Sequence, residues 1–581
     1  MYRRVKIPSK LSGSRGFTSF PSRLHNTKSH KKTFVALSTA VAAGCLTYFT
    51  SKRVILNDSP APQIVSKATS TSSNNADPDA LHTLIWGSNA SKTLVPGGSD
   101  AESIRRPLVA SWLDNVALRD LVFHRDHAAC VDARGDVYQW GKGFQKDHSK
   151  PILTLKGENI VQLQLSENRV YALSSSGKIY ASDLSNLSKQ QLPVTATDTN
   201  SSWWSTSWIT GKQASSSGFV EVSPREGLSW GEKFVSISAG NDHLLALTSA
   251  GRAFAHPISK NANSYGQLGF RKFVVPDLSS PGSNAPKPVE LIPKSVADPY
   301  AKASPFKRES SSSIVQEDYK LDDTSVKNCP TVFEIPSLRD VKISSLKAGG
   351  RSSFALTDSG RVLGWGANEY GQIGLGPNVT VESITVPTEV ILWRSLASGT
   401  QTKCLDVAAG GDLTCFTVER IKSNPSSKIF EVLTCGNGQW GGLGNNVFTN
   451  AQGTPARARN VSGLMEFSDT RKSIEPIVPE SVSVSPTGHV LLTLDTSAGG
   501  AAGRDLLAWG KNYDSELGNG KKASLASPTT MSTPEGERFM LQKKKAKEVR
   551  DLQGNVWKRG VTVEQKAVTG YCNSAVFWKV S

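Results

Sequence analysis

Three histidines recur in matched settings: Asp126-His127-Ala128-Ala129, Asp242-His243-Leu244-Leu245 and Gly488-His489-Val490-Leu491. Imidazoles are the usual bases and metal ligands near neutral pH. To act as one site the three would have to converge, and equivalent positions in successive structural units lie far apart. The spacing therefore predicts a structural role, with each imidazole bonding turns within its own unit. Seven cysteines, Cys45, Cys130, Cys329, Cys404, Cys415, Cys435 and Cys572, are widely spaced and include no Cys-x-x-Cys pair. A structural zinc site draws on closely paired ligands, so no metal site is expected. Cys130 and Cys415 lie inside apolar runs and read as small buried hydrophobes of a reducing compartment. The chain has no phosphate-cradling loop ending in Gly-Lys-Ser/Thr, no Gly-x-Ser-x-Gly, no His-Glu-x-x-His and no Gly-x-Gly-x-x-Gly placed between a strand and a helix. No catalytic residue and no cofactor is nominated, and the chain reads as non-enzymatic.

Two clusters suit binding instead. Trp203, Trp204 and Trp208 stand in the serine-rich segment SSWWSTSW, and exposed tryptophans anchor interfaces. The alternative is that they pack back on a neighbouring unit. Lys543, Lys544, Lys545 and Lys547 lie in EGERFMLQKKKAKEVRD, residues 535–551. Acid first and base later suits a surface helix, whose lysines would either meet acidic lipid or RNA or form a solvated face.

The elements that carry these side chains repeat. Arg351–Gly366 reads RSSFALTDSGRVLGWG, an apolar run, a turn ending in Gly and a second apolar run closing on Trp-Gly. Asp126–Gly141 has the same length and the same glycine and Trp-Gly positions. Asp242–Pro257 repeats it with His256 in the tryptophan slot, and Asn168–Ser182 is a weaker copy. This is a β-hairpin signature. A third short strand precedes several copies (FVSISAG, Phe234–Gly240; ISSLKAGG, Ile343–Gly350; LDVAAGG, Leu405–Gly411). A glycine-rich loop follows them (NSYGQLG, NEYGQIGLG, NGQWGGLG, NYDSELGNG). Many short strands joined by turns, with 49 glycines, predict an all-β repeat protein.

The pattern Ala-Gly-x-x-His-x-x-Ala-Leu-x-x-x-Gly, then Trp-Gly-x-Asn-x-x-Gly-Gln-Leu-Gly, resembles the repeat of the regulator-of-chromosome-condensation family. Gly349–Gly376 is nearly complete. The resemblance covers about 81–581 and implies a seven-bladed β-propeller. Six units fall at about 120–144, 159–181, 233–270, 340–376, 404–446 and 482–520. The seventh is split: Gly570–Phe577 matches Gly240–Leu247, while its Trp-Gly strand stands at Leu84–Asn89. The two termini are thus expected to pair and close the ring. Insertions are expected at about 182–232, 271–340, 447–480 and 521–565, the second as a long disordered excursion.

Charge separates the leader from the rest. The net charge is +17, yet eleven Lys and Arg precede the first acid, Asp58, leaving +6 for the remaining 524 residues. The basic character is mainly a property of the leader, so no DNA partner is expected and RNA is disfavoured. Residues 1–33, basic, serine-rich and without acid, have the composition of a mitochondrial transit peptide. Phe34–Thr50 is uncharged for seventeen residues, at the short end of a membrane span, and 51–80 reads as a linker. The expectation is a mitochondrial inner-membrane protein with one transmembrane helix. Leader, anchor and repeats together resemble fungal mitochondrial inner-membrane members of the family. That resemblance implies a scaffold for respiratory complex III assembly and maturation of its Rieske subunit, with subunits or precursors of the complex as partners. The family also leaves open a guanine-nucleotide exchange factor for a mitochondrial GTPase, and a mitochondrial ribosome or RNA assembly factor.

Overall fold

The computed structural model describes residues 80–580 apart from 98–100, 145–149, 185–217, 277–285, 298–322, 378–380, 395, 423–427, 469, 498–502 and 534–535. The described chain is mostly β-strand. It begins with Leu84–Ser88 and Ser103–Val109, and then builds antiparallel sheets in sequence. The first runs Leu118–Phe123, Ala128–Asp132, Val137–Trp140, Ile152–Leu155. The second runs Ile160–Ser166, Arg169–Ser174, Ile179–Asp183, Val220–Pro224. The third is Phe234–Ala239, His243–Thr248, Ala253–Pro257, Thr331–Glu334, and the fourth Ile343–Ala348, Ser352–Thr357, Val362–Ala367, Ser383–Val390. The fifth is Gln401–Gly410, Leu413–Ile421, Lys428–Gly438, Thr449–Arg457, and the sixth Val478–Val484, His489–Asp495, Arg504–Gly510, Leu525–Thr530. Last come Val556–Thr569 and Asn573–Val580. The strand Asn573–Val580 pairs antiparallel with Leu84–Ser88, in the register Leu84 to Val576 and Gly87 to Asn573.

Each sheet is one strand richer than the repeat pattern foretells. The fourth, outer strand lies in the irregular connections, where no repeat signal marks it. In the third sheet it comes from within 271–340. There Lys272–Pro276 pairs with Pro286–Glu290, and Thr331–Glu334 joins the sheet beside Ala253–Pro257. The described parts of that segment are therefore built structure, which corrects the disordered excursion expected over the whole of it.

The second strand of each unit shows why its sequence is continuously apolar. Ala128–Asp132 and His243–Thr248 are buried at every position. Successive side chains point to opposite faces, and both faces meet a neighbouring sheet. Ala128 and Cys130 join one core with residues of the sixth and last sheets, while Ala129 and Val131 join another with Leu163, Val170 and Ala172 of the second. Leu244 and Ala246 face back toward the second sheet, Leu245 and Leu247 forward toward the fourth. The core is thus a series of layers between sheets, each made by two or more units.

The repeat residues clamp these layers. Trp86, Trp140, Trp365 and Trp509 are fully buried. Each indole donates to a carbonyl in the glycine-rich loop of the preceding unit: Glu516 (2.7 Å), Thr93 (2.8 Å), Gln267 (2.9 Å) and Gly442 (2.8 Å). In four loops an Asn side chain accepts the N–H five residues on: Asn89 from Leu94, Asn263 from Leu268, Asn368 from Ile373 and Asn512 from Leu517. Gly366, after Trp365, has φ +102°, and a Cβ there would lie 2.6 Å from the Arg351 carbonyl, so no other residue fits.

Two of the matched histidines join these clamps, and they act between units rather than within one. Ser353 Oγ donates to the Gln267 carbonyl (2.8 Å), so it accepts from His243 Nε2 (2.9 Å). Ser574 Oγ donates to Glu516 O (3.0 Å) and accepts from His489 Nε2 (3.1 Å). Each carbonyl also receives an indole, so His, Ser, Trp and loop carbonyl form one lock, repeated twice. His127 is buried as well. The sequence missed the cross-unit bonding because the serine partners lie 110 and 85 residues away.

Burial holds the His243 imidazole at about 4 and that of His489 at about 3, against 6.5 for the free side chain. Below pH 6.5 the unfolded chain therefore binds protons that the folded chain refuses. The stability these groups confer is complete above pH 6.5 and is lost as pH falls toward 4, at about 1.4 kcal/mol per pH unit for each histidine. Melting temperature should drop steeply from pH 6.5 to 4. The His489→Gln variant, less stable at pH 7, should show a shallower slope by about one proton; an unchanged slope would contradict the assignment.

The segment expected as a surface helix is a strand. Lys543–Arg550 pairs antiparallel with Val556–Thr569, from Lys543 opposite Glu564 to Arg550 opposite Val556. Lys543, Lys545 and Lys547 are exposed, while Ala546 and Val549 are buried with Leu81, Val563 and Trp578. Pairing along a long preformed strand outweighs the end-charge pattern that favoured a helix. Residues 34–50, expected to cross a membrane, lie outside the described residues. Among the described residues no helix is long and apolar enough to do so.

Candidate functional site

The first strand of each unit carries polar side chains among its apolar ones. Their task is visible in the bonds they make. Asp120 Oδ2 accepts from Leu163 N (2.8 Å), Gln162 Oε1 from Ile237 N (3.0 Å) and Gln164 Oε1 from Ala239 N (3.1 Å). Ser238 Oγ accepts from Ala348 N (2.9 Å), and Ser483 Oγ from Thr569 N (3.1 Å). The inner edge of each sheet would otherwise present unpaired N–H groups; a side chain from the preceding unit satisfies them.

Beyond these bonds the inner strands end together around a cavity of about 540 Å³. Every sheet contributes to its wall, including Arg125 and Asp126, Glu167, Asp242, Gly349, Gly411, Pro486 and Tyr571. The backbones meet at the rim: Asn241 N donates to Gly350 O and Gly350 N to Gly411 O, both at 2.8 Å. A Cβ on Gly410 would lie 2.3 Å from Val484 O, and one on Gly411, at φ +55°, would lie 2.2 Å from Pro486 O. The small-residue turns of the repeat are thus required by the approach of neighbouring units at the axis.

The rim carries mixed charge. The Arg125 guanidinium lies 5.3 Å from the Tyr571 ring, which also meets His124 edge-on at 4.5 Å. Burial, helped by Arg125, lowers His124 to about 4, so it is neutral at physiological pH. Asp126 accepts from Ser91 Oγ (2.8 Å) and Asp242 from Ser259 Oγ (2.7 Å). Farther round, Arg351 pairs with Glu369 (2.6 Å) and Asp412 (3.1 Å) and stacks on Tyr265. A second groove, lined by Asp412, Trp440, Thr487 and Lys511, adjoins this one through Gly410 and Pro486. None of these rim residues was singled out in the sequence. The available signal was their place one or two residues after the small-residue turn.

The arrangement suits recognition of a polar peptide surface: cations, carboxylates and amide donors around one cavity. Asp514, Glu516 and Cys572 place their ligand atoms within 4.8 Å of one another. However, the Lys511 ammonium stands 3.4 Å from Glu516 and 3.6 Å from Cys572, where a cation would sit. Against the effect of burial, Cys572 and Glu516 hold that ammonium above its usual range. Of the other cysteines, Cys130, Cys329, Cys404, Cys415 and Cys435 are buried and unpaired, and burial pushes Cys415 up to about 12. Trp203, Trp204 and Trp208 lie outside the described residues. Lys543, Lys545 and Lys547 lie on the hairpin strand, away from the axial rim, and Lys544 sits over the Trp578 ring at 4.9 Å with its ammonium donating to Ala80 O.

Comparison with known proteins agrees with the fold. Residues 359–417 match the model of the regulator of chromosome condensation (RCC1) repeat, and 343–372 match a second RCC1 repeat model, so the chain carries RCC1 repeats. Over 498 residues it is 22% identical to Protein FMP25, mitochondrial, of Saccharomyces cerevisiae, covering 82% of this chain and 70% of that protein. A stretch of 77 residues is 38% identical to the RCC1 domain-containing protein RUG3, mitochondrial, of Arabidopsis thaliana, or 13% of this chain and 15% of the relative. Among solved structures, Prp20p from Saccharomyces cerevisiae is similar with a TM-score of 0.52 at 16% identity, over 86% of this chain and 92% of the other. Human WBSCR16 is similar with a TM-score of 0.50 at 14% identity, over 86% and 99%. The architecture is an RCC1-like all-β propeller.

Proposed function

We propose that this protein is a non-enzymatic mitochondrial scaffold, tethered to the inner membrane by residues 34–50, that holds a subunit or precursor of respiratory complex III during assembly and Rieske subunit maturation. In this reading the sheets are seven blades, closed into a ring by the pairing of the two termini. The observation that carries it is the similarity to the yeast mitochondrial protein across most of both chains. The acid-free leader and the mitochondrial plant relative support the same compartment. The axial rim supports a binding role, because its charged groups pair with one another or with the ring instead of converging on one reacting point. Deleting the gene should lower assembled complex III on native gels, with the Rieske subunit left unincorporated and the other respiratory complexes unchanged. Normal complex III would refute the reading.

One observation favours a second reading. Prp20p, whose fold is shared, was described with binding to Gsp1p and histones. An exchange factor acting on a mitochondrial GTPase would speed nucleotide release in a purified system, whereas the scaffold would leave it unchanged.

A further inference from the structure

We propose that the basic hairpin formed by Lys543–Arg550 and the first half of Val556–Thr569 is a docking surface for an anionic lipid bilayer, an inference that rests on the membrane tether proposed above. Residues 543–564 hold seven cations against three carboxylates, a net +4 out of the +6 carried by all residues beyond 57. The described residues carry a net +12, so this one ribbon holds about a third of their net charge. Lys543, Lys545 and Lys547 alternate along one strand, so they share its exposed face, and Lys558 extends that face on the partner strand, while Arg559 points to the other face and lies 3.9 Å from Glu548. Side chains here are well exposed, 61% for Lys543 and 77% for Arg559. The hairpin is rigid beneath that face: Ala546, Val549 and Val563 pack with Leu81 and Trp578.

Two features select a bilayer over RNA. Single-stranded RNA is held on exposed aromatic platforms. The one ring on the hairpin, Trp557, is partly buried against its own core, and Thr562 and Gly560 lie between the cations. The second feature is where the chain enters. Ala80 accepts from Lys544 (3.1 Å) and Leu81 is built into the hairpin's core, so the linker arriving from residues 34–50 joins the protein at the foot of this ribbon. Residues 51–79 are 29 residues long, a reach of at most about 100 Å. A tether of that reach keeps the cations near the lipid surface, where each adds roughly fivefold in affinity. Docking this way fixes the orientation of the propeller to the membrane.

The test uses the full chain reconstituted in vesicles of neutral lipid, or of neutral lipid with about a third anionic phospholipid. Amine labelling is read residue by residue by mass spectrometry. Labelling of Lys543, Lys545 and Lys558 should fall about threefold or more on anionic vesicles, and recover near 1 M salt where the Debye length is about 3 Å. Lys178 and Lys272, on other sheets, should not change. The variant Lys545→Glu/Lys558→Glu, which alters exposed positions and should keep its melting temperature, should lose the protection of Lys543. Equal labelling in both vesicles would overturn the docking surface, as would stronger protection by structured RNA than by anionic vesicles. Alkaline carbonate extraction of the native chain from mitochondria reads the tether separately. Resistance with unprotected lysines defeats the docking alone, and release defeats the tether.

Discussion

Deleting residues 566–581 should abolish the cooperative fold of the whole chain, not of one unit. The segment supplies the last four residues of the inner strand Val556–Thr569 and all of Asn573–Val580, which pairs on one side with Val563–Thr569 and on the other with Leu84–Gly87. Ala575, Val576, Phe577 and Trp578 are each 2% exposed or less. Burying a large apolar side chain is worth about 1.5–3 kcal/mol, so the loss approaches the whole 5–15 kcal/mol that holds a typical protein folded. The damage would spread. Ser574 completes the His489 lock and Asn573 donates to Thr93, so the sixth sheet and the N-terminal strands lose partners together. The exposed edge of Leu84–Ser88 would invite aggregation. Expression as soluble protein and thermal melting followed by circular dichroism check this. A truncated chain melting cooperatively at the wild-type temperature would refute it.

The second large effect concerns a buried ion pair in the fifth sheet. Arg420 and Glu431 are 5% and 2% exposed and bonded to each other across neighbouring strands; Arg457 adds a contact to Glu431 at 2.6 Å. Arg420 also donates to Leu392 O (3.3 Å) and Thr402 Oγ1 (3.2 Å). Removing the carboxylate leaves a guanidinium without charge compensation in a dry place. Glu431→Ala should therefore cost about 3–5 kcal/mol. Replacing both partners with apolar residues of similar size, as in Arg420→Met/Glu431→Leu, should cost far less, because the desolvated charges go together. Urea unfolding of the two variants would show the contrast. If the double variant were as unstable as the single, packing and not charge would be the cause.

Much of the scaffold was legible in the chain. The Trp-Gly strands, the glycine turns and the small-residue strand ends mark three strands of each unit, because those positions need a particular backbone or a particular close contact wherever they occur. The outer strands were not legible. Most pair on one side only and tolerate many side chains; Thr331–Glu334, reached after a long connection, pairs with Ala253–Pro257 on one side and in parallel with Val220–Pro224 on the other. The hairpin at Lys543–Arg550 was misread for a related reason: its residues suit either a helix or a strand in isolation, and its partner strand decides.

The histidines mark the same boundary more sharply. Sequence spacing alone determined that His243 and His489 belong to equivalent slots and so to the fold. The tertiary structure decided that each works across a seam between units, because its serine and carbonyl partners become neighbours only when successive sheets pack face to face. The axial rim is of the same kind. Local rules placed glycine at the ends of the inner strands, where a Cβ has no room. Which side chains stand around the cavity, and which cations gather on the hairpin beside the entering chain, follow from how strands distant in sequence are brought together, and no local pattern carries that information.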